Sequence, residues 1–142
     1  MDAELVKKIM EEYVPFNRLL GIQVTGLAKG FVRMEIPFRT ELIGDGRRPA
    51  LHGGVISALA DTAGGAAVWT GTPDDESRVS TIDLRIDYLR PGRAETLVAE
   101  AQVVRVGNRV GVVDMRVFHP DRPEETVATG KGVYNIARPS AL

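Results

Sequence analysis

The sequence has no cysteine, only two histidines and a single tryptophan among its 142 residues. Without cysteine there is no disulfide, no thiolate nucleophile and no cysteine-ligated zinc site, and a cytoplasmic protein is expected. His52 and His119 are too few for a multi-histidine metal site, so neither a metal nor a cofactor is expected. No apolar run approaches the roughly 20 residues of a membrane span. The first residues lack the basic and apolar regions of a signal peptide.

The sequence also has no large excess of charge of one sign, because its 18 Lys and Arg residues and 19 Asp and Glu residues give a net charge of −1. This balance argues against non-specific binding of nucleic acid, which needs a basic protein surface. Hydrophobic residues make up 44% and charged residues 26%, as in ordinary globular proteins. The length fits one domain over residues 1–142.

Hydrophobic spacing predicts an α+β fold with one long helix. Apolar residues three and four apart predict a short N-terminal helix over 2–13, which Pro15 ends. A second apolar stripe (Val55, Leu59, Ala63, Ala66) predicts the long helix over 52–69. Alternating residues predict two strands within 21–37 and four more over 79–90, 94–106, 109–119 and 126–136. Loops are expected over 40–51 and 70–77, a turn over 120–125, and a frayed tail over 137–142.

The arrangement of these strands follows from their connections. Because the last four strands are separated by short turns, they are expected to form an antiparallel meander. Six strands and one long helix predict a sheet wrapped around that helix. In the strand over 79–90, the alternation assigns Ile82, Leu84, Ile86 and Tyr88 to one face and Thr81, Asp83, Arg85 and Asp87 to the other.

The start of the long helix, His52-Gly53-Gly54, carries the strongest chemical signal. Helix-start N–H groups have no intrahelical partner, and glycine lets another group approach them closely. With the helix dipole, they can polarise a carbonyl and hold an oxyanion. Asp61 follows Gly54 by seven residues, about two turns or roughly 10 Å along the same face. Burying a charged side chain in the middle of this helix is costly, so Asp61 is expected to have a chemical role or a partner. The alternative is a solvated carboxylate on an exposed face of the helix. His52 either ties down the loop or contacts a ligand.

The long helix is also unusually slender, since ten of the 15 residues from Gly53 to Ala67 are Gly, Ala or Ser. Such a face is poor at filling a core and suits close packing of a second helix or a slender substrate. The strand over 79–90 is expected to leave a free edge for pairing. Both features predict a protein that is at least a dimer.

These motifs together resemble the signature of hotdog-fold thioesterases, specifically the PaaI-like family that hydrolyses acyl-coenzyme A thioesters. The combination of HGG, an acidic residue nine positions after the histidine and a later strand ending Tyr-Leu-Arg-Pro is specific. The resemblance implies a hotdog fold and a homodimer or tetramer with its active sites between subunits. The matching stretches are LLGIQV at 19–24, PALHGGVISALAD at 49–61, VSTIDLRIDYLRPG at 79–92 and ATGKGVYNI at 128–136.

By position, the resemblance implies a role for each candidate residue. Asp61 corresponds to the family's nucleophile or general base, and the Gly54 N–H, beside Gly53, to the group that polarises the thioester carbonyl. His52 would shape the loop near that carbonyl. The Thr81 hydroxyl would orient the attacking water.

One position departs from the family pattern. The family usually has Asn or Gln in the loop before HGG, whereas the nearest residue here is Asp45. An ionised Asp only accepts hydrogen bonds and would repel an oxyanion. Either the Gly54 N–H acts without side-chain help, or Arg47 or Arg48 substitutes.

Coenzyme A carries phosphates, so the resemblance also implies a basic rim. The candidates flank the turns Pro91-Gly92 and Gly107-Asn108, and each of them is otherwise ordinary surface charge. They are Arg90, Arg93, Arg105 and Arg109.

The main alternative to a thioesterase is a non-catalytic protein that binds or senses acyl-CoA. A hotdog hydratase is disfavoured because no histidine occurs between Asp61 and His119. A serine hydrolase is disfavoured because no G-x-S-x-G motif is present. The identity of the acyl group is not readable from the sequence.

Overall fold

In the computed structural model, which describes residues 2–139, a six-stranded antiparallel sheet packs against one long helix. The predicted α+β class and the six-stranded antiparallel sheet are therefore confirmed. The strands of this sheet are β1 (Gln23–Ala28), β2 (Phe31–Ile36), β5 (Arg78–Tyr88), β6 (Leu97–Val106), β7 (Val110–His119) and β8 (Arg122–Ala137). Their order in the sheet is β1-β2-β6-β7-β8-β5.

The long helix, α3 (Gly53–Gly71), begins and ends within two residues of its predicted bounds. Its predicted apolar stripe is buried against the sheet. The small residues allow a close approach, since a Cβ on Gly111 of β7 would lie 2.7 Å from Cγ1 of Val68. One chain therefore buries the sheet-facing side of this helix, so the expectation that this side is too slender to pack against the sheet alone was wrong. The other side, which includes Asp61 and Gly65, stays partly exposed, and the oligomer stays a prediction.

The predicted meander is only partly correct. Strands β6, β7 and β8 pair in sequence, but β5 pairs with β8 and lies at the edge of the sheet. The connection over 89–96 passes the ends of β8 and β7, where Leu89 N–H donates to Val127 O and Arg93 N–H donates to His119 Nε2. The 16-residue β8 pairs with both β7 and β5. A short connection predicts that β5 and β6 are neighbours in the sheet. The connection instead crosses β7 and β8, so these two strands lie between β5 and β6.

A bulge in β5 reverses its side-chain alternation. The pairing with β8 shifts between Thr81 and Asp83, and the extra residue turns every later side chain to the opposite face. Ile82 is consequently 57% exposed. The prediction that it shares one face of the strand with Leu84, Ile86 and Tyr88 was therefore wrong. Thr81 before the bulge and Tyr88 after it both reach α3.

The N-terminal region is more helical than predicted. Helix α1 (Ala3–Lys8) continues into a π-helical turn (Ile9–Tyr13), and this segment ends before Pro15 as expected. Pro15 then begins a further helix, α2 (Pro15–Leu20), which the sequence analysis missed. Proline suits the first turn of a helix because the N–H that it lacks has no intrahelical partner there.

Two predicted connections also contain regular structure. The loop over 40–51 includes a short 3-10 turn (Thr40–Leu42) and a small hairpin of β3 (Ile43–Asp45) and β4 (Ala50–Leu51). Strand β8 begins at Arg122 rather than at residue 126, so part of the predicted 120–125 turn is strand. The frayed tail lies partly outside the described residues, at 140–142. None of the helices in residues 2–139 is long and apolar enough to cross a membrane.

Candidate active site

Asp61 projects from the middle of α3 and is only partly buried. The Thr81 hydroxyl donates to Asp61 Oδ1 at 2.8 Å, and the Tyr134 hydroxyl donates to the same oxygen at 3.0 Å. Tyr134 also lies 3.0 Å from the Asp61 backbone carbonyl. Within residues 2–139, Oδ2 has no hydrogen-bond partner. One carboxylate oxygen is thus held in place while the other remains available for chemistry.

Tyr134 on β8 is a site residue that the sequence analysis missed. Its side chain is 1% exposed and occupies space left by two glycines. A Cβ on Gly132 would lie 2.6 Å from the ring Cε1, and one on Gly64 would overlap the hydroxyl. Burial and the negative charge of Asp61 raise the pKa of Tyr134 well above its ordinary value, so its hydroxyl remains a donor through the neutral range. The available signal was Gly132, two residues earlier on the same face of the strand.

The helix start contains a hydrogen bond that bears directly on the expected role of Gly54. The Gly54 N–H donates to His52 Nδ1 at 2.8 Å, so His52 caps α3 and carries its proton on Nε2. A Cβ on Gly54 would lie 2.9 Å from that nitrogen. The His52 ring thus ties down the start of the helix, and its contact with a ligand stays a prediction. The N–H group expected to face a carbonyl is engaged by His52, and its catalytic role stays a prediction.

Tyr88 is a second residue at the helix start that was not singled out. Its hydroxyl donates to the Gly53 carbonyl at 3.1 Å and contacts the Ser57 hydroxyl. A Cβ on Gly53 would lie 3.4 Å from the Tyr88 ring, so Gly53 lets the ring rest against the backbone. The ring is 53% exposed and lies on the edge strand β5. The β5 bulge is what brings Tyr88 to this side of the sheet.

Asp61 and the helix start open into different cavities of one chain. The first, of about 540 Å³, is lined by Asp61, Thr81 and Tyr134 and continues among apolar side chains. The second, of about 600 Å³, is lined by His52 and Gly53 with Tyr88, Arg48 and Arg90 among others. Seven helical residues, or roughly 10 Å, separate Gly54 from Asp61. The structure of a single chain therefore does not bring these two groups around one reacting atom.

Asp45 lines the second cavity and is bound by its arginine neighbours. The Arg47 N–H donates to Asp45 Oδ1 at 3.0 Å, and the Arg48 Nε lies 3.5 Å from Oδ2. The backbone and side chain of Arg47, helped by Arg48, lower the pKa of Asp45 below its usual value. Asp45 is therefore an anion whose charge the two arginines offset.

The candidate basic residues do not form one cluster. Arg90 lines the second cavity, while Arg93 pairs with Glu125 at 3.5 Å. Arg105 and Arg109 are exposed at the β6–β7 turn, where Val106 lies beside Gly71 at the far end of α3. A helix of 19 residues is roughly 27 Å long, so the two groups lie at opposite ends of the helix.

His119 is buried and has a structural role. Its Nε2 accepts from the Arg93 N–H at 2.9 Å, and its Nδ1 donates to the Thr96 carbonyl at 2.8 Å. These bonds anchor the connection between β5 and β6. Among residues 2–139, no three His, Asp or Glu side chains lie together as metal ligands would.

Comparison with known proteins identifies relatives along nearly the whole chain. The family model of the thioesterase superfamily matches residues 49–126, which include Gly54, Asp61 and Thr81. A Halobacterium salinarum protein named as a candidate esterase is 38% identical over 96% of each chain. The Escherichia coli medium/long-chain acyl-CoA thioesterase YigI is 34% identical over 84% of each chain. The structure of the E. coli PaaI protein, from the phenylacetic acid degradation operon, has a TM-score of 0.81 at 29% identity, with 94% of this chain and 91% of that chain covered.

Proposed function

This chain belongs to the thioesterase superfamily and is of the PaaI-like type, and from that membership we propose that it hydrolyses acyl-coenzyme A thioesters. The expected family resemblance and an enzymatic activity are confirmed by these relatives. The substrate is proposed from YigI, which is named for medium- and long-chain acyl-CoA. The observation that carries the proposal is an oriented carboxylate, Asp61, that lines a largely apolar cavity.

Asp61 Oδ2 is proposed as the reacting oxygen, because Thr81 and Tyr134 both donate to Oδ1. As general base, Oδ2 takes a proton from water while the water oxygen attacks the thioester carbon. The C–S bond breaks, and the coenzyme A thiolate leaves and receives that proton. As nucleophile, Oδ2 instead attacks the carbon, and the C–S bond breaks as the coenzyme A thiolate leaves, which gives an anhydride. Water then opens the anhydride to the free acid and the Asp61 carboxylate and supplies the proton that the thiolate takes up. Either route requires the orientation that Thr81 and Tyr134 provide, so Tyr134 is a positioning residue.

The oxygen of the thioester carbonyl is proposed to bind at the Gly54 N–H, where the helix dipole favours developing negative charge. His52 Nδ1 now accepts this hydrogen bond. His52 is exposed, so its ring can rotate away when a carbonyl oxygen replaces it. Asp45 does not assist the oxyanion, because its carboxylate is ionised and can only accept hydrogen bonds.

The complete site is proposed to form between two subunits, with Gly54 from one chain and Asp61 from its partner. Two observations support this arrangement. The helix start, through His52 and Gly53, and Asp61 of the same chain open into separate cavities. The edge strand β5 carries exposed Ile82 and Tyr88, and exposed Leu89 follows it directly, as an interface would require. In such a site Arg90 would meet the coenzyme A phosphates, and Arg105 and Arg109 could contribute only from another subunit.

Co-expression of two inactive variants tests the shared site. Asp61→Asn and Gly54→Val each lose most activity alone, but a mixed dimer contains one site with both wild-type residues. Random mixing makes half of the dimers mixed, so thiol release recovers to about a quarter of the wild-type rate. A site within one chain predicts no recovery, because every chain then carries one defect. Size-exclusion chromatography with tagged chains verifies that mixed dimers have formed.

Turnover itself separates a thioesterase from an acyl-CoA binding protein. The purified protein is mixed with short, long and aromatic acyl-CoA substrates while free thiol is measured. Catalytic release of coenzyme A is expected for at least one acyl class. Binding of all of them without thiol release would contradict the proposed function and favour a sensing role.

A further inference from the structure

The connection over 89–96 carries Arg90 to the rim of the second cavity, and its backbone is tied to two strands. The Arg90 N–H donates to Val127 O on β8 at 3.3 Å. The Leu51 N–H on β4 donates to Gly92 O at 2.9 Å. A Cβ on Gly92 would lie 3.2 Å from Leu51 Cβ, so the glycine allows this close approach to β4. The backbone around Arg90 is thus held from both β8 and β4.

His119, at the end of β7, binds the same connection with its side chain. It is 5% exposed, and its Nε2 accepts from the Arg93 N–H at 2.9 Å. Because Nε2 is an acceptor here, the imidazole is neutral and carries its proton on Nδ1, which donates to the Thr96 carbonyl at 2.8 Å. One buried ring therefore fixes both ends of the turn from Arg93 to Thr96.

A small cavity of about 10 Å³ places His119 directly behind Arg90, since both residues line it together with Pro91 and Arg93. Arg90 also lines the second cavity, whereas His119 lines neither of the two larger cavities. Pro91 confines the backbone of Arg90 to extended conformations. Within residues 2–139, Arg90 forms no ion pair, whereas Arg93 pairs with Glu125. The guanidinium of Arg90 is therefore available to an anion in the second cavity.

We propose that His119 is a positioning residue for the nucleotide end of the substrate. By holding the Arg93 N–H, it keeps the backbone at Arg90 in place, so that the Arg90 guanidinium meets the phosphates of coenzyme A. Ordering this segment in advance lowers the entropy that binding would otherwise cost. The proposal rests on the acyl-CoA substrate proposed above. Because His119 lies behind the cavity wall, it should act on coenzyme A affinity and KM rather than on kcat.

Two amide substitutions separate the two hydrogen bonds of the imidazole. The longer side chain of His119→Gln reaches the place of Nε2, and its oxygen can accept from the Arg93 N–H. The shorter side chain of His119→Asn reaches only the place of Nδ1, and its amide can donate to the Thr96 carbonyl. Each variant loses the ring and one buried hydrogen bond, so their urea midpoints should be similar. A merely structural role for His119 would affect both variants alike.

Calorimetric titration with coenzyme A measures nucleotide binding without turnover. We expect His119→Asn to bind coenzyme A about tenfold more weakly, the scale of one hydrogen bond to a charged group, and His119→Gln to stay close to the wild-type protein. Thiol release from acyl-CoA should show the same rise in KM at an unchanged kcat. Acyl thioesters of N-acetylcysteamine lack the nucleotide, so His119→Asn should hydrolyse them as the wild-type protein does.

A double variant then tests whether His119 acts through Arg90. Arg90→Gln alone should weaken coenzyme A binding about tenfold by removing the charged donor. Adding His119→Asn to Arg90→Gln should cause no further loss, because the group that His119 positions is already absent. Losses that add in the double variant would show that His119 acts elsewhere and would overturn the proposal.

The remaining outcomes keep this proposal apart from the proposed hydrolysis. An unchanged coenzyme A affinity in folded His119→Asn would overturn the positioning role, as would equal losses in the Asn and Gln variants or an equal loss with N-acetylcysteamine thioesters. Weaker coenzyme A binding in His119→Asn, with no thiol release from any thioester by the wild-type protein, would support the positioning role and contradict the hydrolysis. Hydrolysis by the wild-type protein with no change of coenzyme A affinity in His119→Asn would do the reverse.

Amide hydrogen exchange of the wild-type protein decides the question if both His119 variants fail to fold. The Arg93 amide should exchange slowly in the free protein and more slowly when coenzyme A is bound, because the phosphates hold the segment from the cavity side. Exchange at the rate of an exposed amide, or no change on addition of coenzyme A, would overturn the proposal.

Discussion

Replacing Tyr134 with phenylalanine isolates the hydrogen bond that orients Asp61. The change removes the hydroxyl that donates to Asp61 Oδ1 and keeps the ring in the space left by Gly64 and Gly132. Thr81 then remains the only donor to the carboxylate within residues 2–139. Because the ring is buried, its packing should change little.

The expected effect follows from the worth of one hydrogen bond to a charged group, about 1.5–3 kcal/mol. At 1.36 kcal/mol per tenfold change, a loss at the lower end of that range lowers kcat about tenfold.

Steady-state thiol release measures this effect, with Tyr13→Phe as the matched control. Tyr13 is 61% exposed, so loss of its hydroxyl should not change kcat. KM should stay near the wild-type value because the hydroxyl touches Asp61 rather than the substrate. An unchanged kcat in folded Tyr134→Phe, or a loss that lies in KM alone, would refute the positioning role.

Two further predictions concern stability around the same tyrosine. A Cβ on Gly64 would overlap the Tyr134 hydroxyl, whereas one on Gly65 would lie 3.5 Å from the ring. Gly64→Ala should therefore lower the free energy of unfolding in urea by about 1–3 kcal/mol, and Gly65→Ala should not lower it. Equal midpoints for the two variants would contradict the close packing. The pKa of Tyr134 is raised in the folded protein. The contribution of Tyr134 to the free energy of unfolding is therefore fully present below about pH 10, and it falls by about 1.4 kcal/mol per pH unit as the pH rises above that. Tyr134→Phe should lack this part of the alkaline loss, and an identical pH dependence of the two unfolding curves would show that Tyr134 does not cause it.

Local patterns predict the long helix and the placement of Gly54 and Asp61 along it well. The apolar stripe of α3 and the spacing of Gly54 and Asp61 depend only on helix geometry, and both are present in the structure. The pairing of β5 with β8 was not predictable in this way. It depends on a connection that passes the ends of two strands, whereas turn lengths describe only consecutive neighbours.

The least predictable parts of the site depend on a single bulge and on contacts distant in sequence. An extra residue at Ile82 decides that Thr81 and Tyr88 share one face, and regular alternation assigns them to opposite faces. Tyr134 lies 73 residues from Asp61 and was predicted only as part of a strand. The hydrogen bond from Gly54 to His52 involves neighbouring residues, but it depends on a side-chain orientation that sequence patterns do not specify.

The central claim, that Asp61 performs the hydrolysis, is tested most directly by acyl-CoA turnover of Asp61→Asn. Asparagine keeps the shape of the side chain and an oxygen that can accept from Thr81 and Tyr134, so the urea midpoint should remain close to that of the wild-type protein. The rate of thiol release should fall at least about a hundredfold, the usual scale for loss of a nucleophile or general base. A folded variant that releases thiol at nearly the wild-type rate would contradict the claim and remove Asp61 from the mechanism.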